Sequence, residues 1–223
     1  MALSTEGRPR RLKEPAVPKL TTLYEPDGEP GYDGEYLSLH YQDLDLSHRE
    51  LESAQFERCR FTGSGFAGSP LRDVGFADVE MTSVDLSNST ARDVSMLRAS
   101  ISGSQLTGMR WVECGFRDVL FEDCRADLAS FRFSVFKPTV VFRACNLREA
   151  NFQSADLRGV RFEQCDLTGA QFSNARLDGT RFADCVLAGL GGVTSLKGAI
   201  IKSSDAMALL YSLTAAMGIT IED

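Results

Sequence analysis

From Phe142 to Leu187 the chain reads FRACNLREANFQSADLRGVRFEQCDLTGAQFSNARLDGTRFADCVL, and a large apolar residue returns at every fifth position: Phe142, Leu147, Phe152, Leu157, Phe162, Leu167, Phe172, Leu177, Phe182 and Leu187. Two residues before each stands a small or β-branched one: Val140, Cys145, Ala150, Ala155, Val160, Cys165, Ala170, Ala175, Thr180 and Cys185. A period of five fits neither the 3.6 of a helix face nor the 2 of a flat strand. It fits a chain that turns a corner every five residues and points two side chains of each five inward. These two series are the candidate structural core.

Working outward, the same spacing runs from Leu46 to Phe136, and then resumes at Phe142 one residue late. That makes 19 centres before the slip and 10 after it, all apolar, with only Ala91 and Ala126 small. If four pentads make one square turn, residues 20 apart lie above one another at the spacing of adjacent strands, about 4.8 Å. Phe142, Phe162 and Phe182 then form one column, with Phe152 and Phe172 on the opposite wall. The 29 pentads correspond to about seven coils. The expected fold is an all-β solenoid with a dry, continuous interior and no pocket.

The slip lies somewhere between Phe121 and Phe142, and Lys137, Pro138 and Thr139 form a candidate contact loop there. Proline cannot donate a ladder hydrogen bond, so a bulge or short loop is expected near it. The cysteines Cys59, Cys114, Cys124, Cys145, Cys165 and Cys185 all fall in the small inward slot. They read as buried free thiols acting as small hydrophobes, and no CxxC spacing supports a metal site. Cys124, Cys145, Cys165 and Cys185 are expected in one column.

The flanks differ. Residues 1–20 carry Pro9, Pro15 and Pro18 with Arg8, Arg10, Arg11 and Lys13, and read as a solvated, flexible arm. Residues 21–45 are acidic and tyrosine-rich and read as an irregular cap over the open end of the stack. The repeat domain is expected over 46–201, with a last strand in Leu196–Ile201. For 202–223, Ser203-Ser204-Asp205 supplies N-cap chemistry ahead of a capping helix from Ala206 to Met217, and Gly218 supplies its stop. That helix is apolar nearly all round. Ala206, Leu209, Leu210, Leu213 and Met217 form one stripe for the last coil, while Met207, Ala208, Tyr211 and Ala215 form a second face. A helix of this kind is buried on both sides. A homodimer through Met207, Ala208, Tyr211 and Ala215 is the simplest cover; the N-terminal arm or the Ile219–Ile221 tail folding back is the other.

The inward pair with a polar residue between, as in Ala126-Asp127-Leu128, Ala150-Asn151-Phe152 and Ala155-Asp156-Leu157, resembles the A(D/N)LXX signature of the pentapeptide-repeat family. The resemblance covers about 46–201. It implies a right-handed quadrilateral β-helix. It also implies a bacterial, non-enzymatic binding protein: some members bind DNA gyrase or topoisomerase IV as DNA mimics and protect it from quinolones or peptide toxins.

Charge and motifs bear on those functions. With only His40 and His48, and no nucleophile elbow, P-loop or dinucleotide fingerprint, the residues support no enzyme and no cofactor. The net charge of −7 divides into nine acids and five bases over 1–45, 19 and 17 over 46–187, and three and two over 188–223. A DNA mimic needs negative charge along the rod, since a duplex carries one charge per about 1.7 Å. A nearly neutral rod meets that need only if its charge is segregated onto one wall, and Arg161 above Arg181 runs the other way. The alternative is a rigid scaffold that binds an unrelated protein through a flat wall. Neither reading involves nucleic acid or a membrane: no run of about 18 apolar residues is present, and the N-terminus lacks a signal core. The chain reads as cytoplasmic.

Overall fold

The computed structural model describes residues 12–137 and 139–220. They form a β-solenoid of about eight turns in which every strand pair is parallel, closed at its C-terminal end by a helical segment. Four walls follow from the register, and we call them A to D in chain order. Wall A is lined by Tyr36, Phe56, Phe76, Met96, Phe116, Phe136, Leu157 and Leu177. Wall B is lined by Tyr41, Phe61, Met81, Ile101, Phe121, Phe142, Phe162, Phe182 and Ile201. Wall C runs from Leu46 to Leu187, and wall D from Leu51 to Phe172.

The pentad works because its polar residues build the corner. The residue two places after each centre takes a positive φ at every pentad from Asp33 to Phe133 and again from Thr139 to Gly189. That left-handed conformation suits Gly, Asn and Asp and reverses the chain within one residue. The Asp or Asn just before a centre fixes the approach. Asp45 accepts the Ser47 amide at 2.9 Å, Asn151 the Gln153 amide at 2.9 Å and Asp166 the Thr168 amide at 2.9 Å. This is the local side-chain turn that Asx residues favour.

All 29 centres from Leu46 to Leu187 are buried, and their rings stack on the next coil. Phe121 to Phe142 is 4.6 Å between centroids, Phe142 to Phe162 5.2 Å and Phe162 to Phe182 5.1 Å, each nearly coplanar. Across the interior, Phe152 meets Phe162 edge-on at 5.6 Å. Stacks along a wall and edges across it are the two arrangements that aromatic quadrupoles favour. Where the inward slot is polar, its hydroxyl is bonded: Ser69 donates to the Leu46 carbonyl at 2.6 Å and Thr180 to that of Leu157 at 2.6 Å.

The structure extends and sharpens the sequence reading at four places. First, the solenoid begins before Leu46: Tyr36 stacks on Phe56 at 4.9 Å and Tyr41 on Phe61 at 5.0 Å. Two tyrosines expected in an irregular cap therefore hold centre positions, which raises the turn number from seven to about eight. Second, the extra residue lies just after wall A. Phe116 pairs with Phe136, a step of 20, whereas Leu120 pairs with Val141, a step of 21. Thr139 already holds the corner conformation, so the surplus falls at 137–138. Third, the last coil is one residue short, since Arg181 pairs with Ile200. A 3-10 turn over Val193–Leu196 closes it. Gly192 enters this turn at φ 69°, and a Cβ there would stand 2.3 Å from the Ser173 nitrogen, so only glycine fits.

Fourth, Ser203–Asp205 does not cap a helix. These residues are the first turn of a broken helical segment made of Ser203–Ala206, a 3-10 turn over Met207–Leu209 and Leu210–Ala216. The buried Asp205 carboxylate instead accepts the Cys185 amide at 2.9 Å. In coils below, serine hydroxyls 20 residues on accept the equivalent amide, as Ser104 does from Val84 at 3.1 Å and Ser134 from Cys114 at 3.1 Å. Asp205 thus takes the slot of a coil that is not there. Gly218, at φ 72°, ends the segment as expected.

Candidate protein-binding surfaces

The inward residues are spoken for by packing, so chemistry is left to the outer walls and the two ends. The six cysteines are free and buried. Cys145, Cys165 and Cys185 each donate to a carbonyl of the coil below at 3.3 to 3.5 Å. Burial pushes the Cys114 thiol up to about 12, far from a reactive thiolate. His40 bonds the Thr62 hydroxyl at 3.1 Å, and His48 sits on a corner. No cluster of three metal-binding side chains exists among the described residues, nor a helix long and apolar enough to cross a membrane.

The C-terminal segment touches the last coil through a narrower strip than its sequence suggests. Asp205 and Leu209 are buried, and Ser212 and Thr214 are half-buried. Ala206, Leu210, Leu213 and Met217, expected against the coil, are exposed instead. The 3-10 turn rotates the face: Asp205, Leu209 and Ser212 now form the inner stripe. Met207 (74 % exposed), Ala208, Tyr211 (69 %) and Ala215 all point to solvent. With Leu210, Leu213 and Met217 they make one apolar end face.

At the slip, Lys137 is exposed and Thr139 is half-buried; its hydroxyl bonds the Asp118 carboxylate in the coil below. Pro138 lies outside the described residues. The same coil carries two apolar residues on corners, Leu128 and Phe133, at φ 59° and both exposed, so Ala126 is the inward centre there and Leu128 is not its inward partner. Arg132 lies 5.2 Å over the Phe133 ring.

A third surface was missed by the sequence reading. The described part of the arm, residues 12–20, is largely exposed but anchored to the solenoid at one place. Pro15 is buried, and the Glu14 carboxylate accepts from Arg161 at 2.7 Å and from Arg143 at 2.9 Å on the outside of wall B. Burial pushes the Glu14 carboxyl up, but these guanidinium bonds outweigh it and hold the group below its ordinary value. From Tyr24, bridged to Leu39 in the first coil, ten residues reach at most about 35 Å. The six to seven strand spacings between need about 29–34 Å, so the arm is nearly fully extended. A signal for it was present: Arg161 above Arg181 stacks like charges, and such a pair needs a counter-ion. Arg8, Arg10 and Arg11 lie outside the described residues, as does Ile221.

No wall is strongly acidic. Wall C has the largest excess, with Asp45, Asp85, Asp127, Glu149 and Asp166 against Arg125 and Arg148. Both arginines are paired, Arg125 with Asp127 at 3.0 Å and Arg148 with Asp166 at 3.1 Å.

The geometry described above agrees with what the chain resembles. The family model of pentapeptide repeats matches residues 141–189 in eight copies. Among solved structures, the chain is similar to HetL, a pentapeptide repeat protein involved in heterocyst differentiation regulation from the cyanobacterium Nostoc, at 16% identity over 77% of this chain and 91% of that one, TM-score 0.47. It is also similar to full-length QnrB1, a plasmid-mediated fluoroquinolone resistance protein, at 19% identity over 81% and 99%, TM-score 0.35. A third is a pentapeptide repeat protein of the Arabidopsis thaliana thylakoid lumen, at 19% over 62% and 68%, TM-score 0.24. No curated protein matches the sequence. None of these likenesses assigns a partner. Residues 141–189 are matched as pentapeptide repeats, and the coils that precede them continue the same four columns across the one-residue slip.

Proposed function

We propose that the protein is a non-enzymatic, cytoplasmic scaffold that binds a protein partner through a wall of its prism. One observation carries this reading: the core is continuous, and the residues free of it stand on flat outer walls as interleaved charges and apolar patches. Protein surfaces of mixed charge suit protein partners better than nucleic acid. The narrower form is DNA-mimicking docking to a type II topoisomerase, DNA gyrase or topoisomerase IV, with protection from quinolones. Wall C, with its acidic excess, is the wall that suits it. The alternative partner is an unrelated protein, favoured by the near balance of charge on the other three walls.

A gyrase supercoiling assay with and without a quinolone separates the two. Inhibition of supercoiling, or relief of quinolone-trapped cleavage, supports the topoisomerase form; no effect at saturating protein removes it. A pull-down from the native host then tests the scaffold itself, which fails if neither topoisomerase subunits nor any other protein is retained.

The second part of the reading is a homodimer. The exposed end face of Met207, Ala208, Tyr211 and Ala215 is apolar and closed by nothing in the described chain, and a two-fold contact would cover it with the same patch. Sedimentation at tens of micromolar is expected to give a dimer, and Tyr211→Glu a monomer. A wild-type monomer would end this part.

A further inference from the structure

Wall B, between Val141 and Arg181, carries an anomaly. Val141 and Arg161 occupy outward positions, next to the inward Phe142 and Phe162, yet they are 0 % and 6 % exposed. Val141 belongs to no part of the continuous core. It stands between the outward Leu120 and Arg161 of the adjacent coils, and the arm crosses the same coils, with Pro15 buried and Glu14 bridging the Arg143 and Arg161 guanidiniums. Three arginines, Arg143, Arg161 and Arg181, line this face beside two carboxylates, Glu163, which bonds Arg143 at 3.0 Å and lies 3.4 Å from Arg161, and Glu122, 3.5 Å from Arg143. Arg181 sits one coil beyond Arg161 and makes no ion pair among the described residues, and the residues preceding Glu14, namely Leu12 and Lys13, supply no acid for it.

We propose that this face of wall B is a docking site for an extended acidic segment of a protein partner, and that residues 12–20 are the chain's own stand-in for it. The proposal rests on the reading of the protein as a protein-binding scaffold and names the chemistry of the partner. A face lined by arginines recognises carboxylates in extended peptides through charge-assisted bonds of the length seen at Glu14. Val141 provides the apolar seat that a proline or another compact residue fills. The unmatched Arg181 makes the arm an imperfect ligand, so a segment with an acid one or two places before its Glu-Pro pair outcompetes it. The arm's advantage is its tether, which gives an effective concentration in the millimolar range. A surface latch of one carboxylate is weak enough to be released.

The test uses the full chain with Glu14→Gln, which removes the latch and keeps the arm. The probe is a fluorescent nine-residue peptide with the sequence of residues 12–20 in which Leu12 and Lys13 are replaced by aspartate, read by anisotropy. The Glu14→Gln protein is expected to bind it at least tenfold tighter than the wild type. Adding Arg161→Ala, or Arg143→Gln if that variant does not fold, is expected to weaken binding at least tenfold. Trypsin cleavage after Lys19 is expected to quicken several-fold in Glu14→Gln. Equal binding by wild type and Glu14→Gln, binding indifferent to Arg161 and Arg143, no binding, or unchanged cleavage each overturns the proposal. No topoisomerase or host protein enters this assay, so its failure leaves the scaffold reading standing, and a failed pull-down leaves the peptide result standing.

Discussion

The coils from Leu46 to Phe121 and those from Ala126 to Leu187 share a period but not a corner. In the first region only the wall C corner is closed by a turn hydrogen bond, with the amides of Arg49, Ser69, Ser89 and Met109 donating to the carbonyls of Leu46, Phe66, Leu86 and Leu106. The chain runs on around the corner between walls A and B as eight-residue strands, Gly75–Thr82, Ser95–Ser102 and Gly115–Glu122. In the second region three corners per turn are closed from Leu147 onward, as in Ala150 to Leu147, Ala155 to Phe152 and Val160 to Leu157, and two in the coil before it. The corner after wall B stays open throughout, and Cys145, Cys165 and Cys185 follow it.

The inward slot records the difference. After closed corners it holds mainly Ala, Ser or Thr; after open ones it holds mainly Val or Cys, as in Val74, Val79, Val84, Val94, Cys114, Val119 and Cys124. A tight turn brings the next side chain inward at once, which favours a small one, with Met109 and Val160 the larger exceptions, while an open corner leaves room for a larger one. The corner residue follows suit: Gly159, Gly169, Asn174 and Gly179 close turns, whereas Asp73, Asp78, Asp93 and Asp118 stand on open corners. Type II turns ask for Gly or Asn at this position. The lesson is that one period supports two corner geometries, chosen by the size of a single slot.

The largest expected effect breaks the comparison by removing the core that both regions share. Phe162→Asp buries a charge between Phe142 and Phe182 with no partner, which a dry interior does not tolerate. The variant is expected to be insoluble; soluble protein with an unchanged far-UV spectrum would contradict the register. A smaller effect sharpens it. Ala170→Val, after a closed corner, is expected to cost about 1–3 kcal/mol by overpacking. Cys165→Ala, after an open one, is expected to cost about 1 kcal/mol by a small truncation. Denaturant midpoints compare the two, and a larger loss for Cys165→Ala would reverse the slot argument.

How much was legible follows from the same slots. The period exposed the solenoid, the columns and the cysteine stack, because each depends on a side chain that must be apolar and inward. The coil of Tyr36 and Tyr41 was hidden by its setting: both keep the register, but they stand among acids and turn residues that argue for a cap. The rotated C-terminal face was hidden because Asp205 reads as a helix cap until its carboxylate is seen on the Cys185 amide. The arm was hidden most completely, since no local pattern links Glu14 to arginines about 130 to 150 residues away.

Corner residues give the next step down. Leu128→Gly replaces a bulky side chain in the left-handed region and is expected to stabilise by about 1 kcal/mol, whereas Gly159→Ala adds a Cβ that meets nothing and is expected to cost about 1 kcal/mol by backbone strain alone. Thermal melts that moved both ways opposite to this would refute the corner assignment. The smallest effect concerns pH. The carboxyl of Glu14 is held below its ordinary value of 4.5, so the latch is fully present above that value and is lost as pH falls through the lower folded one. Amide shifts of residues 12–20 followed by NMR are expected to move toward free-chain values only below the ordinary value of 4.5, with Arg143, Arg161, Arg181, Glu122 and Glu163 the charged neighbours. Release between pH 5 and 7 would point to a different latch.

Every wall surface described here depends on one register, with its surplus residue at 137–138, and single-residue deletion tests that directly. Removing Pro138 returns the step between coils to 20 and leaves Thr139 on the corner it already occupies. Removing Gln153 instead turns every later centre, from Leu157 to Leu187, out of the core. The Pro138 deletion is expected to stay soluble with a melting midpoint within a few degrees of the full chain, and the Gln153 deletion to be insoluble. An insoluble Pro138 deletion beside a folded Gln153 deletion would contradict the account.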